Sequence, residues 1–243
     1  MEDRLEILSL ITHELRTPIN STKGFIEMVL KDESLSDDSR KHLGKALNST
    51  KRMQTMVNDL LDLSLLMGSG NFFVKPRWFF LGDLVDSVKE DCSHMISGSE
   101  VTFKVDLPEN IRRLKIRSDP SRLRQVLLNL IDNARKHTLR GYVELRCRED
   151  KDTLILSVTD TGMGMVIKNL DKIFEPFYQE TKGTSRTGKG AGIGLTLSKE
   201  IIKKLDGEIS VESYPDEGSV FTVMIPIEST ELDMVDTLIM DIK

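Results

Sequence analysis

The chain has 243 residues, 39% hydrophobic and 30% charged, which supports one large or two modest folded domains and excludes wholesale disorder. Lys and Arg number 34 against 39 Asp and Glu, a net charge of −5 that gives a nucleic-acid role no electrostatic support. Two cysteines, Cys92 and Cys147, are too few for a disulfide scaffold or a cysteine-rich zinc site and fit a reducing, cytoplasmic compartment. No apolar run approaches the ~20 residues of a membrane span, and MEDRLEILSL lacks the basic flank and apolar stretch of a signal peptide. The expectation is a cytoplasmic chain, alone or as the cytoplasmic part of a larger membrane-anchored or hybrid protein.

Residues 1–68 read as helical, with Pro18 the one interruption. Leu8, Leu15, Thr22 and Val29 fall on one seven-residue register and Ile11, Pro18 and Phe25 on its partner. The pattern repeats with Leu43, Thr50, Val57 and Ser64, and with Ala46, Met53, Leu60 and Met67. DESLSDDSR between them is turn-like, so the spacing predicts a helical hairpin with an apolar seam. Leu5, Ile19, Ile26, Leu47 and Leu61 widen that seam beyond what one hairpin can hide. Two hairpins pairing into a four-helix bundle are therefore expected, giving a homodimer through residues 1–68, in preference to a hairpin packed on the rest of its own chain.

Gly68–Asn71 reads as a linker, after which the periodicity shortens. Strands are expected in FFVKPRWFF, VTFKVDL, RRLKIRS, YVELRCRED, TLILSVTD, GEISVES and SVFTVMIPI, with helices near 81–95, 120–138 and 193–206. The fold class is α+β: a helical hairpin, then over 72–227 an α/β sandwich with a mixed sheet and helices on one face. Residues 161–192 hold six glycines and little periodicity, a loop long enough to be functional. The tail 228–243 carries Leu232, Val235, Ile239 and Ile242 at helical spacing and is expected as a short helix.

Four constellations carry chemistry. Asp119-Pro120 starts a helix whose buried stripe is Leu123, Leu127, Leu130, Ile131 and Ala134. Asn129, Asn133 and Lys136 lie on one adjoining polar stripe, where two carboxamides and an ammonium can hold hydrated Mg²⁺ and phosphate oxygens. A solvated helix face gives the same pattern. Asp160-Thr161-Gly162-Met163-Gly164 follows a strand; its carboxylate can accept from an exocyclic amine such as that of adenine, and its glycines let backbone approach a flat ligand. Gly190, Gly192, Gly194 and Leu195 open a helix, whose N–H groups make a phosphate site. The segment GTSRTGKG matches a P-loop only superficially, because Gly190 stands where a Ser or Thr would meet Mg²⁺ and no buried strand precedes it. Lys182, Arg186 and Lys189 in this loop read either as a solvated face or as a lid closing on phosphates, and the glycines favour the lid.

His13 lies in SLITHELRTP and, with Leu8 at heptad position a, falls at f, outside the seam. An exposed imidazole beside Glu14 meets the needs of a phosphoryl acceptor: a nucleophilic nitrogen, open approach and an orienting neighbour. Pro18 removes a backbone hydrogen bond and can bend the helix just beyond. His137 is placed to flank a nucleotide, whereas His42 and His94 read as surface residues and the cysteines as packing.

In this order, HELRTP, NLIDNARKHT, DTGMG, Phe174-Glu175-Pro176-Phe177 and GAGIGL resemble the phospho-acceptor, Asn, first Gly, FEPF and second Gly boxes of the sensor histidine kinases of two-component signalling. The resemblance spans nearly all of 1–227. It implies a dimerisation and phosphotransfer hairpin, then an ATP-binding domain of the kind shared with gyrase, Hsp90 and MutL. It implies a protein-histidine kinase in which His13 takes the γ-phosphate of ATP with help from Glu14 and hands it to a response regulator receiver aspartate. Thr17 matches the position that holds a water for phosphatase action. Asn129, Asn133 and Lys136 match the Mg-ATP stripe, Asn129 and Asn133 facing the metal; Asp160 matches the adenine contact. His137, Gly162, Gly164, Lys189, Gly190, Gly192, Gly194 and Leu195 complete the nucleotide-binding set. His137 departs from the pattern, standing where many members have Tyr or Phe.

Two other classes compete. Related ATPase machines place a Glu at the start of the Asn box to activate water, and Asn129 occupies that position here. A non-catalytic nucleotide-binding scaffold would not need His13, Asn133, Asp160 and the glycines together.

Overall fold

The computed structural model describes residues 2–67, 72–96, 99–166, 170, 172–178 and 192–230; the side chains of 2–13, 67, 94, 229 and 230 lie outside that description. The chain divides into two compact units, Met1–Phe72 and Phe73–Lys243.

The first unit is a hairpin of α1 (Glu2–Val29) and α2 (Asp37–Met67). Its turn is fixed by Arg40, whose guanidinium donates to the carbonyls of Leu30 and Asp32, both at 2.9 Å. These are carbonyls that the end of α1 leaves without helical partners. Within the hairpin, Thr50, Val57 and Ser64 of α2 are buried. Ile19, Lys23 and Ile26 of α1 are half-buried, as is Leu30 just past its end. The heptad residues expected in the seam divide: Thr50, Val57 and Ser64 of α2 are those buried ones, whereas Phe25 is 67% exposed and Leu15, Val29 and Met53 are also exposed. The α1 face turned to α2 is thus the one that widens the stripe, and the heptad face stays open in a single chain. Two polar bridges cross the hairpin, from Arg16 to Asn58 Oδ1 at 3.0 Å and from Gln54 to Asn20 Oδ1 at 2.8 Å.

The second unit runs β1 (Arg77–Phe80), α3 (Leu81–Ile96), β2 (Val101–Asp106), α4 (Glu109–Arg112), β3 (Lys115–Ser118), α5 (Pro120–His137), β4 (Gly141–Asp150), β5 (Thr153–Asp160), α6 (Gly194–Lys204), β6 (Glu208–Tyr214), β7 (Gly218–Pro226) and β8 (Glu228–Thr230). The five-stranded sheet has the order β2-β4-β5-β7-β6, with β2 parallel to β4 and every other pair antiparallel. A smaller antiparallel sheet has the order β1-β3-β8.

Alternation decides which side of the large sheet is core. Val143, Leu145 and Cys147 on β4, Leu154, Leu156 and Val158 on β5, and Phe221, Val223 and Ile225 on β7 are all buried. The apolar stripes of the helices are buried with them: Val85 and Val88 on α3, Leu123, Leu127, Leu130 and Ile131 on α5, and Leu197 and Ile201 on α6. Truncating one of these to Ala would cost ~2–5 kcal/mol. Cys92 and Cys147 are fully buried in this core, where burial pushes both thiols up to about 12 and disfavours the thiolate.

Three local differences from the sequence reading have physical causes. The strand in FFVKPRWFF begins only at Arg77, because Pro76 has no N–H to donate to a ladder. RRLKIRS loses its first residues to the single turn of α4, where Glu109 and Arg113 pair at 2.9 Å. The tail 228–243 does not start as a helix: residues 228–230 pair with Lys115, Ile116 and Arg117 of β3 as a strand. The helical spacing of Leu232 to Ile242 falls outside the described residues.

Candidate nucleotide site and phospho-acceptor helix

The candidate site grows from α5. Asp119 caps it, its Oδ1 accepting from the backbone N–H of Ser121 at 3.0 Å and of Arg122 at 3.1 Å, with Pro120 at the first position. Asp119 Oδ2 also accepts from Lys75 N, which ties the incoming chain to the start of the helix. With its register set by the buried stripe, α5 leaves Asn129 and Asn133 half-buried and Lys136 exposed. Lys136 pairs with Asp132 at 2.6 Å, and Arg135 reaches the other carboxylate oxygen at 2.9 Å. Burial raises the pKa of Asp132, but Lys136 and Arg135 outweigh it and hold the carboxyl below its usual range. The Asp132–Lys136 pair was readable as an i, i+4 spacing.

The end of β5 carries Asp160, which is 4% exposed. Its Oδ1 accepts from Gly162 N at 2.8 Å, and Ser219 on the adjacent strand offers both backbone N–H and hydroxyl. Burial is the larger influence and raises its pKa, against Gly162, His137 and Ser219. The following glycines are demanded by sterics. A Cβ on Gly162 would sit 2.4 Å from the carbonyl oxygen of His137, and one on Gly164, at φ +59°, would sit 1.9 Å from that of Tyr214. Met163 N donates to that same His137 carbonyl at 3.2 Å, so the first glycine box closes over the last turn of α5.

The second glycine box arrives from the other side. Gly192 has φ +70°, and its carbonyl accepts from Phe177 N at 2.9 Å, which joins it to the FEPF segment. Phe174 of that segment stacks edge-on against Phe221, with ring centroids 6.5 Å apart. Helix α6 starts at Gly194 with no side-chain cap, leaving its first N–H groups to a ligand or water. The Asn129 amide nitrogen lies 3.4 Å from the Gly194 carbonyl. Its Oδ1 is a hard oxygen acceptor of the kind a magnesium-type site uses. Among the described residues, no group of three or more His, Cys, Asp and Glu side chains could hold a metal. The expected Lys182, Arg186, Lys189 and Gly190 lie outside the described residues.

His13 is on α1, and its side chain lies outside the description; Glu14 and Thr17 one turn along are exposed. Pro18 supplies no N–H to the Glu14 carbonyl, opening the backbone ladder just past the histidine. Sequence reasoning missed Ser213, Ser219 and Thr161. The Thr161 hydroxyl accepts from Tyr142 N at 3.0 Å and clasps β5 to β4. Thr161 lies inside the first glycine box without a role assigned from sequence, and Ser213 and Ser219 do not stand out because strand register alone brings them together.

Residues 3–67 match the His kinase A phospho-acceptor domain family, and residues 118–229 match the histidine kinase-, DNA gyrase B- and HSP90-like ATPase family. The chain is 31% identical over 236 residues to the autoinducer 2 sensor kinase/phosphatase LuxQ of Vibrio parahaemolyticus, covering 94% of this chain and 27% of that protein. It is 31% identical over 220 residues to the sensor histidine kinase RcsC of Escherichia coli, covering 90% and 23%. The chain thus spans about a quarter of the length of these relatives. Among solved structures it resembles full-length ShkA in complex with AMPPNP, with TM-score 0.72 and 28% identity over 93% of this chain and 46% of that one. It also resembles the Acinetobacter baumannii histidine kinase AdeS, with TM-score 0.62 and 26% identity over 88% and 97%. No helix among the described residues is long and apolar enough to cross a membrane.

Proposed function

Because the chain belongs to the sensor histidine kinases, with a phospho-acceptor domain ahead of an ATPase domain, we propose that it uses ATP to phosphorylate His13 and passes the phosphoryl group to an aspartate of a response regulator receiver domain. An imidazole nitrogen of His13 attacks the γ-phosphorus, the bond to the β–γ bridging oxygen breaks, and ADP leaves; Glu14 orients the ring and favours its loss of a proton. Asp160 accepts from the adenine amine. Gly162 and Gly164 let backbone reach the base, and His137 flanks it. The N–H groups from Gly192 to Leu195 face the phosphates together with Lys136, Lys189 and Gly190. Asn129 and Asn133 hold Mg²⁺, which when bound neutralises charge on the phosphate oxygens.

The observation that carries this reading is the meeting of three segments at one end of α5: Asn129–His137, Asp160–Gly164 and Gly192–Leu195. Residues 1–68 serve dimerisation and phosphotransfer, 72–227 bind nucleotide, and the chain works as a homodimer. The open stripe of Leu15, Phe25, Val29 and Met53 supports that pairing. A cytoplasmic location within a larger membrane-anchored or hybrid protein fits the length of the relatives, and phosphatase activity fits the exposed Thr17.

The test is incubation of the full chain with γ-labelled ATP and Mg²⁺. A base-stable, acid-labile phosphate on the protein is the expected result. Release of free phosphate without labelling would favour an ATPase machine; nucleotide binding with neither would favour a scaffold.

A further inference from the structure

Three adjacent strands put Ser213, Ser219 and Asp160 in one row: Ser213 is the register partner of Ser219, and Ser219 that of Asp160. All three are buried, Ser213 to 2% exposure. The Ser213 hydroxyl oxygen accepts from Met165 N at 2.8 Å, lies 3.0 Å from the Ser219 hydroxyl, and is within 2.9 Å of the Gly218 carbonyl. Proton counting orders these contacts. Each hydroxyl has one proton. Ser219 gives its own to the Asp160 carboxylate, so in the Ser213–Ser219 contact the donor is Ser213. Ser213 divides its proton between Ser219 and the Gly218 carbonyl, and takes the Met165 N–H on its lone pair. The donors then run in one direction, from Met165 N–H through Ser213 and Ser219 to Asp160, the arrangement in which successive bonds strengthen one another. The backbone that follows the first glycine box is thereby tied to the carboxylate at its start. Asp216 N adds a second tie, donating to the Met163 carbonyl at 2.8 Å.

We propose that Ser213 is a positioning residue for nucleotide recognition: it touches no ligand, and acts through Ser219 on the aim of the Asp160 carboxylate and through Met165 on the course of the first glycine box. The proposal rests on the reading of Asp160 as the acceptor of the adenine amine. Ser213→Ala leaves Met165 N–H and the Ser219 oxygen without their partner, so Asp160 loses alignment while keeping its charge. Adenine discrimination then falls, and the phosphoryl step itself is spared.

The experiment measures dissociation constants of the full chain for ATP and for inosine triphosphate, which carries a carbonyl in place of the exocyclic amine. Ser213→Ala, Ser213→Cys and Asp160→Asn are compared with the parent, and autophosphorylation is followed at saturating ATP. The expected result is a preference for ATP in the parent that Asp160→Asn removes and that Ser213→Ala lowers about five- to tenfold, the effect of one hydrogen bond. The rate at saturating ATP should change less than twofold. Ser213→Cys fills the site with a slightly larger side chain that is only a weak donor and should follow Ala; it carries the same test if the Ala variant fails to fold. An unchanged ATP preference in a folded Ser213 variant, with Asp160→Asn still abolishing it, overturns the relay and leaves the site reading standing. Loss of thermal stability with the preference intact also overturns it, since that is a structural role. Absence of any preference in the parent, unaffected by Asp160→Asn, overturns the adenine assignment itself.

Discussion

The amide nitrogen of Asn129 lies 3.4 Å from the carbonyl oxygen of Gly194, although 65 residues separate them. That contact makes one site of two sequence motifs, because it docks the first turn of α6 on the polar stripe of α5. A Cβ on Gly194 would stand 3.7 Å from the Asn129 side chain, ordinary van der Waals distance, whereas one on Gly192 would meet the Tyr178 carbonyl at 2.8 Å with φ at +70°. Gly194→Ala should therefore leave the nucleotide-free fold unchanged, and Gly192→Ala should lower its stability by at least ~1 kcal/mol. Thermal unfolding of the two single variants checks the difference; calorimetry on the double variant should show weakened ATP binding.

Asn133→Asp puts a negative charge where phosphates and Mg²⁺ are proposed to sit. Nucleotide affinity should fall at least tenfold while the unfolding temperature stays within a few degrees, as measured by calorimetry and thermal melts. Equal affinity in the variant would remove Asn133 from the site.

His13→Gln should abolish labelling from γ-labelled ATP and leave both ATP affinity and dimer mass unchanged, because heptad position f is outside the apolar stripe. Labelling that persists at the parent rate would move the acceptor elsewhere.

Thr17 is exposed and one turn beyond His13 on the same face. Thr17→Ala should spare autophosphorylation and slow dephosphorylation of the cognate regulator by ~10²–10³-fold, the cost of one oriented hydrogen bond in a transition state. Both activities are to be assayed on one preparation; a parallel fall would assign Thr17 to the bend at Pro18 instead.

Asp132 gives a pH test with a defined sign. Its carboxyl is held below the usual 3.8, against the raising effect of burial, by Lys136 and Arg135. The folded state therefore binds fewer protons than the unfolded one near that pH. Its contribution is fully present above pH 3.8 and is lost as pH falls through the lowered folded value. Asp132→Asn should lower stability at pH 7 by about 1 kcal/mol and flatten the acid limb of the stability curve below pH 4, read by denaturant unfolding.

Much of this was legible because it is local. The Asp119-Pro120 cap, the α5 stripe and each single box are short contiguous runs of sequence, and the sheet and helices of the second unit follow period-two and period-3.6 patterns. What escaped is set by register between distant strands or by competition between faces. Nothing near Ser213 announces that Met165 and Ser219 converge on it. Likewise, the α1 pattern offered two apolar faces, and the one turned to α2 was Ile19 and Ile26, with the more regular heptad left outside. Three residues after the apolar run of β7 were too few to read as a strand, so β8 was merged into the tail.

That short strand sets where a fragment of this protein can be cut. The chain leaves the large sheet at Pro226 and joins the small one at Glu228, with Ile227, whose N–H donates to the Asp152 carbonyl at 2.8 Å, as the hinge between them. A fragment ending at Ile227 keeps the whole five-stranded sheet yet strips β3 of one of its two neighbours, leaving it paired with β1 alone and open along its other side. Exposed ladders recruit strands from other molecules. Such a fragment should bind nucleotide and still clump at high concentration, while one carried on through Thr230 should remain dispersed.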